Sequence, residues 1–283
     1  MQNQKVILVT GCSSGFGLLT AVRLAAGGHL VWASMRDLSK RTRLEEQLTR
    51  RGVQAVIREL DVTKPSVIKN VIDEILKTHG RIDVLVNNAG YSMTGFFEDL
   101  SEEEIRAQME TNFFGVQHLC RQVVPLMRQR GAGKIINISS IAGQVATPGL
   151  GAYNASKWAL EGFSESLYFE LRPFGVSVVL IEPGLYPTDL FTKNVLYAKG
   201  VDNPQSPYFR YSQRLKQILQ MSLKKIGRDP DEIAKLIERI INDPNPRLRY
   251  ISDFSSWARV MAQQVLPKNW VAYIIGRVIN ANK

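Results

Sequence analysis

Cysteine and histidine are scarce in this 283-residue chain, which contains two cysteines and three histidines. Cys12 and Cys120 are too few to build a disulfide framework, and neither lies in a CxxC or Cys/His spacing typical of metal sites. We therefore expect no structural or catalytic metal. The same scarcity fits a reducing compartment, and we expect a cytoplasmic protein.

Long hydrophobic runs are also missing. No stretch reaches the roughly 18 uninterrupted apolar residues that a membrane-spanning helix needs. The first residues pass at once into the short apolar run Val6–Val9, without the pattern of a cleavable signal. We therefore expect that the protein does not cross a bilayer.

Acidic residues are few in the last third of the chain. The formal net charge is +10, yet residues 190–283 hold 16 Lys and Arg against 7 Asp and Glu, whereas residues 1–189 hold 20 against 19. This uneven distribution argues against a protein that coats nucleic acid. It leaves two interpretations open for the last third, a local anionic partner or a solvated surface.

Six short β-branched runs alternate with longer stretches of helical spacing. Their continuous apolar character is typical of buried parallel strands covered on both faces. We therefore predict one α/β domain over residues 1–283, with a doubly wound, Rossmann-type sheet of seven mostly parallel strands and helices on both faces. The predicted strands are 6–9, 30–33, 53–57, 82–86, 134–138 and 176–181, with 248–251 as the seventh.

Helices are predicted where caps and periodicity agree. Ser101 and the acids after it start a run that continues to about Arg130, and a second long helix spans about Gly151 to Arg172. Beyond residue 184 proline and basic residues interrupt the pattern, so we assign 185–228 to a substrate lid. Residues 254–283 form a basic amphipathic C-terminal extension.

A glycine-rich turn follows the first strand directly and opens a helix. Glycine permits the unusual backbone angles of this turn and lets a pyrophosphate approach the main chain at the positive end of the helix dipole. The motif fits TGxxxGxG. The residues assigned to it are Gly11, Ser13, Ser14, Gly15, Phe16 and Gly17.

Further motifs follow in a fixed order. Asn87-Asn88-Ala89-Gly90 ends the fourth strand, Asn112 falls in the next long helix, Ser140 follows the fifth strand, Tyr153 and Lys157 form YxxxK, and Pro183-Gly184 follows the sixth strand. With the glycine turn, these motifs resemble the short-chain dehydrogenase/reductase family over roughly residues 5–190. The resemblance implies a hydride-transferring oxidoreductase that acts on CH–OH donors with NAD(P). Within it, Asn88, Ala89, Gly90, Pro183 and Gly184 line the cofactor, and Thr188 fits PGxxxT and bonds the carboxamide.

The end of the second strand predicts the cofactor. Met35 stands where NAD-preferring members of the family carry an acid, and Arg36 is placed to bind a 2′-phosphate. NADP(H) is therefore favoured over NAD(H). The alternative is a surface Arg36 with Asp37 as the ribose ligand. Asp61 and Val62 resemble the adenine-contacting pair of the family, although Asp61 could be a solvated loop residue.

Four residues are assigned to catalysis. Tyr153 and Lys157 lie four apart on a predicted helix and so share a face, where a nearby ammonium favours the phenolate. By resemblance, Tyr153 is the general acid/base, Lys157 lowers its pKa and holds the ribose, Ser140 binds the substrate oxygen, and Asn112 supports a water-linked proton path. Ser139 is the competing choice for Ser140, and Asn112 could instead be a structural kink residue.

The substrate prediction is broader. The motifs look most like the 17-beta-hydroxysteroid and retinol dehydrogenase group, which suggests a hydrophobic ketone or aldehyde and its alcohol, in lipid or steroid metabolism. The resemblance also implies a homodimer or homotetramer. Alternatives are an NADP-binding regulatory or scaffold protein without turnover, and an epimerase or dehydratase of the same fold.

The C-terminal extension from Trp257 onward interleaves apolar and basic side chains. Such a segment suits peripheral contact with an anionic membrane surface. It could equally pack over the substrate pocket or against a partner subunit, and the sequence leaves both roles open.

Overall fold

A computed structural model describes residues 4–189, 195–225 and 228–280. The strands are β1 (Val6–Val9), β2 (Leu30–Met35), β3 (Val56–Glu59), β4 (Val84–Asn87), β5 (Met93–Thr94), β6 (Gly133–Ile138), β7 (Val176–Glu182), β8 (Leu196–Tyr197) and β9 (Arg249–Ile251). The α-helices are α1 (Gly15–Ala26), α2 (Thr42–Arg50), α3 (Pro65–His79), α4 (Glu102–Met109), α5 (Gly115–Arg130), α6 (Gly151–Leu171), α7 (Phe209–Lys225), α8 (Asp231–Asn242), α9 (Phe254–Val265) and α10 (Lys268–Asn280).

Seven strands form one sheet in the order β3-β2-β1-β4-β6-β7-β9, and each neighbouring pair is parallel. The chain leaves β1 in one direction and returns to β4 on its other side, so the strand order reverses between them. Ligands of such sheets bind at the carboxyl ends of the strands beside this switch point. The predicted doubly wound sheet is confirmed.

The side chains of alternate residues in each central strand pack into two separate hydrophobic cores, one on each face of the sheet. Ile7 and Val9 point into a cluster completed by α1, α2 and α8. Val6 and Leu8 point into a second cluster with α3, α5 and α6. The strands are thus buried on both faces, which explains their continuous apolar sequences.

The third predicted strand is displaced. We expected residues 53–57, but β3 begins at Val56 because its pairing with β2 starts opposite Trp32. Val53 and Ala55 instead pack as partly buried loop residues against the first cluster. Apolar periodicity alone did not distinguish them from strand residues.

The predicted helix from Ser101 to Arg130 is divided. Ser101 forms the expected capping box with Glu104, each side chain binding the other's backbone N–H. Between α4 and α5, however, residues Glu110–Phe114 form a π-helical segment that contains Asn112. Such segments are rare and often lie at functional sites.

Two strands lie outside the main sheet. β5, just after Asn88-Ala89-Gly90, pairs in parallel with β8. This pair fastens the region after β7 to the loop after β4, and sequence analysis did not predict it. Residues 190–194 and 226–227 of the predicted lid, and 281–283 of the C-terminal extension, lie outside the described residues.

Within the described residues, no helix is both long and apolar enough to span a membrane. Cys12 and Cys120 are buried and free. In the same part of the chain, no three or more His, Cys, Asp or Glu side chains are grouped as metal ligands.

Candidate active site

The glycine turn is held against the end of β4. Gly11 and Gly15 have φ values of +73° and +55°, which side-chain-bearing residues rarely adopt. The Thr10 Oγ1 atom accepts hydrogen bonds from the backbone N–H groups of Asn88 and Ala89, each 3.0 Å away. Asn88 Nδ2 in turn donates to the carbonyl oxygens of Thr10 and Gly11. The turn is therefore fixed by the strand next to it.

The start of α1 offers backbone N–H groups that have no partner within the helix. A Cβ atom on Gly17 would overlap Asn88 Nδ2 and the Gly11 carbonyl, so only glycine allows this close approach. Ser14 stands at the N-cap with an extended backbone, and its hydroxyl makes no capping hydrogen bond. The first amides of α1 and this hydroxyl thus suit the pyrophosphate of a dinucleotide. Ser13 is half-buried beside them, and the Phe16 ring packs edge-on against Tyr186 at 5.4 Å.

The residues at the end of β2 divide into buried and exposed groups. Met35 is 1% exposed, whereas Arg36 and Asp37 are exposed. Asp37 Oδ1 accepts hydrogen bonds from the N–H and the hydroxyl of Ser39, at 3.0 and 2.6 Å. Asp37 therefore caps the turn that follows it. Arg36 forms no salt bridge with any described residue.

Asp61 and Val62 lie where the third strand ends. Asp61 is half-buried, and its Oδ1 accepts hydrogen bonds from the N–H and hydroxyl of Thr63 at 3.0 and 2.8 Å. Val62 is buried and packs against Gly115 at the start of α5. Asp61 is therefore a structured loop residue and not simply a solvated one.

Tyr153 is 5% exposed on the first turns of α6. Burial raises the pKa of its phenol to about 12, and a hydrogen bond with the Ser140 side chain acts in the opposite direction. Ser140 Oγ also accepts from the Ala142 N–H at 3.1 Å. Ser139, its predicted competitor, lies beside Gly143 and Glu161. The structure thus brings Ser140, and not Ser139, to the phenol.

Lys157 follows one turn later on α6 and is 6% exposed. Its Nζ donates to the carbonyl oxygen of Ile138 at 2.8 Å and lies 5.9 Å from the centre of the Tyr153 ring. Burial lowers the pKa of this ammonium to about 8, while the charge of Glu161 acts to raise it. The ammonium thus lies in reach of the phenol that it is expected to influence.

Asn112 joins three parts of the site. Its Nδ2 donates to the Tyr91 carbonyl at 2.9 Å and to Ser156 Oγ at 3.1 Å, and its Oδ1 accepts from the Tyr91 N–H at 3.1 Å. A Cβ atom on Gly90 would lie 3.1 Å from Asn112 Oδ1 and 3.9 Å from Lys157 Nζ. Asn112 therefore lies in the π-helical segment and binds Ser156, the residue before Lys157 on α6.

The loop after β7 closes the site on its other side. The Pro183 carbonyl oxygen accepts from the Ile141 N–H at 3.2 Å. The Gly184 N–H donates to Ser252 Oγ at 3.3 Å. Thr188 is buried, and its side chain lies 3.6 Å from the Cβ position of Gly15. The glycine turn and this loop thus face each other.

The described part of the predicted lid is anchored by aromatic contacts. Phe96 stacks on the Tyr208 ring at 4.8 Å, just before α7. Arg43 of α2 forms a 2.5 Å ion pair with Asp189 at the other end. These contacts hold the two ends of the segment against the loop after β5 and against α2.

A buried acidic cluster, which the motifs did not predict, lies behind Lys157. Arg249 Nε on β9 lies 3.0 Å from Glu161 Oε2 and 3.5 Å from Glu182 Oε1, and its NH2 lies 3.1 Å from Glu165. Glu182 is fully buried, accepts a hydrogen bond from Gln144 and has a pKa raised to about 8, first by burial and then by the charge of Glu161. The only feature of the sequence that points to this cluster is Glu182, a charged residue at the end of an apolar strand.

Thr10 and Ser156 were also missing from the predicted site. Thr10 stands in the quoted glycine motif, so its position was visible. Ser156 had no signal, because its contact with Asn112 joins residues 44 positions apart.

Taken together, a glycine cradle for a pyrophosphate and a serine, tyrosine and lysine converge at the carboxyl edge of one parallel sheet. This combination is typical of a dinucleotide-binding oxidoreductase. The chain belongs to the short-chain dehydrogenase family, whose model matches residues 5–196. It is an oxidoreductase that acts on CH–OH donors with a nicotinamide cofactor.

Three relatives illustrate the range of similar proteins. The chain is 41% identical to the uncharacterized oxidoreductase YusZ of Bacillus subtilis, with 88% of this chain and 89% of the relative covered. It is 38% identical to a 3-ketodihydrosphingosine reductase of Bacteroides thetaiotaomicron, with 88% and 87% covered. It is 34% identical to retinol dehydrogenase 8 of Bos taurus, with 87% and 80% covered.

Solved structures agree with the fold. A short-chain dehydrogenase from Streptomyces avermitilis superposes with a TM-score of 0.80 at 31% identity, covering 99% of this chain and 100% of that chain. One from Burkholderia phymatum in complex with NAD gives 0.81 at 27% identity, covering 93% of each. A metagenomic short-chain oxidoreductase in complex with NADP gives 0.69 at 28% identity, covering 87% and 96%.

Proposed function

We propose that this protein is an NADP(H)-dependent oxidoreductase that interconverts a hydrophobic ketone or aldehyde and its alcohol, with Tyr153 as the general acid/base. The observation that supports this most strongly is the convergence of Ser140, Tyr153 and Lys157. Their side chains meet beside the glycine cradle, and the tyrosine and lysine are nearly inaccessible to solvent. Such burial strengthens electrostatic effects on proton transfer.

In the direction of carbonyl reduction, the bound cofactor supplies the hydride. Ser140 binds the carbonyl oxygen, and Tyr153 donates a proton to that oxygen. Lys157, protonated below its pKa of about 8, stabilises the phenolate that remains. Asn112, through its place between Tyr91 and Ser156, orders the path by which the proton is restored.

In the direction of alcohol oxidation, the same residues act in reverse. Tyr153 accepts the hydroxyl proton, so the phenolate must be formed first. Because burial raises the phenol pKa to about 12, Lys157 and Ser140 have to offset that cost.

The proposed preference for NADP(H) over NAD(H) is argued from the side chains at the end of β2. Asp37 is engaged in capping its own turn, which argues against the role of ribose ligand. Arg36 has no salt-bridge partner among the described residues and is exposed, so its guanidinium can bind a 2′-phosphate bidentately. Buried Met35 offers no acceptor for the ribose hydroxyls. NADP(H) is therefore the cofactor we propose.

The substrate class rests on chemistry shared with relatives. One relative is named for a ketodihydrosphingosine and another for retinol, and both are lipophilic molecules that carry a carbonyl or hydroxyl carbon. The stacked rings of Phe96 and Tyr208 suit such a substrate, because Gly95, next to Phe96, pairs with Leu150 at the start of α6. We therefore propose a lipophilic ketone or alcohol in lipid metabolism.

The test follows NADPH absorbance at the nicotinamide band with a panel of lipophilic ketones and aldehydes, using wild type and Tyr153→Phe. Substrate-dependent oxidation of NADPH by wild type only is the expected result. If NADPH binds but no ketone or aldehyde is reduced by wild type, a regulatory or scaffold protein without turnover is favoured instead. Product analysis distinguishes reduction from epimerisation or dehydration, which leave the net NADPH concentration unchanged.

A further inference from the structure

Helix α10 presents an apolar stripe to solvent. Trp270, Tyr273 and Ile274 recur at helical spacing and are 65%, 63% and 52% exposed. Surface helices of globular proteins normally turn such a stripe toward a core. Here the opposite face, with Val271 and Ile275, is the partly buried one. The exposed stripe of α10 is therefore available to a partner.

Helix α9 adds to the same feature. Phe254 and Trp257 are 78% and 45% exposed and stack at 5.6 Å, and Val265 is 80% exposed. Isolated exposed apolar residues are ordinary, but consecutive helices that expose several large ones mark an interaction surface.

The charge of this segment is of one sign. Residues 254–280 contain Arg259, Lys268 and Arg277, and they contain no aspartate or glutamate. Arg277 Nε donates to the Tyr273 hydroxyl at 3.0 Å, so a basic and an aromatic group lie together on the exposed stripe. The partner that complements such a surface is anionic.

The segment also borders the candidate active site. Arg259 donates to Thr147 Oγ1 at 2.8 Å, and Gln264 donates to Gln144 at 3.3 Å, both on the loop between Ser140 and Tyr153. Helix α10 contacts the lid helix α7. One face of α9 thus packs over the site loop, while Phe254 and Trp257 of α9 and the stripe of α10 stay exposed.

We propose that α9 and α10 form a docking surface for an anionic phospholipid bilayer, which places the active site next to substrate dissolved in the lipid. The surface, called here the basic apolar surface, comprises Phe254, Trp257, Lys268, Trp270, Ile274 and Arg277. The proposal rests on the proposed function only for the lipophilic substrate. Tryptophan and tyrosine favour the membrane interface, and lysine and arginine bind its anionic headgroups.

A second copy of this chain is the weaker candidate for the same surface. In a twofold interface the same patch meets itself. Lys268 and Arg277 would then face the like charges of the partner, with no acid in the segment to neutralise them. A bilayer buries the aromatic stripe and pairs the basic groups at the same time.

The test is cosedimentation of the full-length protein with phosphatidylcholine vesicles, with and without phosphatidylglycerol. Binding is expected only with phosphatidylglycerol and should weaken as salt rises. Lys268→Glu/Arg277→Glu should lower the partition coefficient by about tenfold or more, and Trp270→Ala/Ile274→Ala should lower it similarly. Arg50→Glu/Lys77→Glu changes the net charge equally on exposed residues of α2 and α3, and should bind like wild type.

The outcomes separate this proposal from the proposed function. Absence of vesicle binding by wild type overturns the docking surface, whatever the enzyme reduces. Equal losses in the Arg50/Lys77 control overturn it as well, because net charge alone would then explain binding. A different result would show that a second copy of this chain covers the basic apolar surface, and would overturn the proposal. In that case wild type does not bind vesicles, and Trp270→Ala/Ile274→Ala converts an oligomer to a monomer in light scattering. Vesicle binding with the expected variant pattern supports the surface even if NADPH turnover is absent. Circular dichroism and NADPH titration verify that each variant is folded.

Discussion

Lys157 lies one helical turn beyond Tyr153, with its ammonium nitrogen 5.9 Å from the centre of the phenol ring and anchored on the carbonyl oxygen of Ile138. Burial favours the neutral form of both side chains. It raises the pKa of the phenol to about 12 and lowers the pKa of the ammonium to about 8. Below pH 8 a neutral phenol therefore faces a cation. This is the protonation state needed to donate a proton to a carbonyl oxygen.

Tyr153→Phe removes the proposed proton donor and little else, because the ring is retained. We expect kcat for ketone reduction to fall by about 10²–10⁴-fold, with the NADPH dissociation constant nearly unchanged. Steady-state kinetics and fluorescence titration measure the two quantities. If kcat of Tyr153→Phe equals that of wild type, another group transfers the proton.

Arg36→Ala tests the cofactor preference. Loss of a charge-assisted hydrogen bond to a 2′-phosphate should weaken NADPH binding by about 1.5–3 kcal/mol. NADH lacks that phosphate, so its affinity should change little. Calorimetric titration with both cofactors makes the comparison, and Arg50→Ala on the exposed side of α2 is the control. Equal losses for NADPH and NADH would contradict the assignment of Arg36.

Glu182→Gln tests the buried acids through stability. The folded-state pKa of Glu182 is raised to about 8 from 4.5. As pH rises from about 5 to 8, the unfolded chain has already lost this proton while the folded chain retains it. Wild type should therefore lose stability over this interval, by on the order of 3 kcal/mol, and the glutamine variant should not.

The measurement is the denaturant midpoint of Glu182→Gln and wild type at several pH values between 5 and 8. The advantage of the variant should grow with pH. Glu165→Gln is the matched control, because Glu165 also pairs with Arg249 but its side chain is 46% exposed and its pKa is lowered. A pH-independent difference for Glu182→Gln would show that the carboxyl is ionised throughout.

The outer face of α6 offers a surface for the predicted homodimer or homotetramer. Trp158 and Phe169 lie three turns apart on it and are 53% and 61% exposed. Trp158→Glu/Phe169→Glu should reduce the mass found by light scattering to that of a monomer. Phe97→Glu, at another highly exposed aromatic residue, should not. A monomeric wild type would contradict the predicted oligomer.

Local signals predicted much of this molecule. The apolar runs gave the sheet, Ser101 gave a helix start, and the spacing from Gly11 to Gly17 gave the turn at the end of β1. Each of these depends on neighbours within a few positions. The motif residues Tyr153 and Lys157 gained meaning from their order along the chain.

What could not be predicted depends on long-range contacts. Pairing of β5 with β8 joins segments about 100 residues apart. The start of β3 depends on its pairing with β2, which begins opposite Trp32. The π-helical segment at Asn112 has no distinctive composition, and the acidic cluster needs three elements to meet at Arg249.

Arg249 also bears on which part of this chain can exist alone. The family model ends at residue 196, yet the guanidinium that lies 3.0 Å from Glu161 and 3.5 Å from Glu182 comes from β9, and β9 covers the edge of β7. A fragment that stops at residue 196 would leave two buried carboxyl groups without their cation and a core strand with an unpaired edge. The segment that carries the motifs is therefore shorter than the unit that folds, because the last third supplies the cation and the edge strand on which the nucleotide-binding part depends.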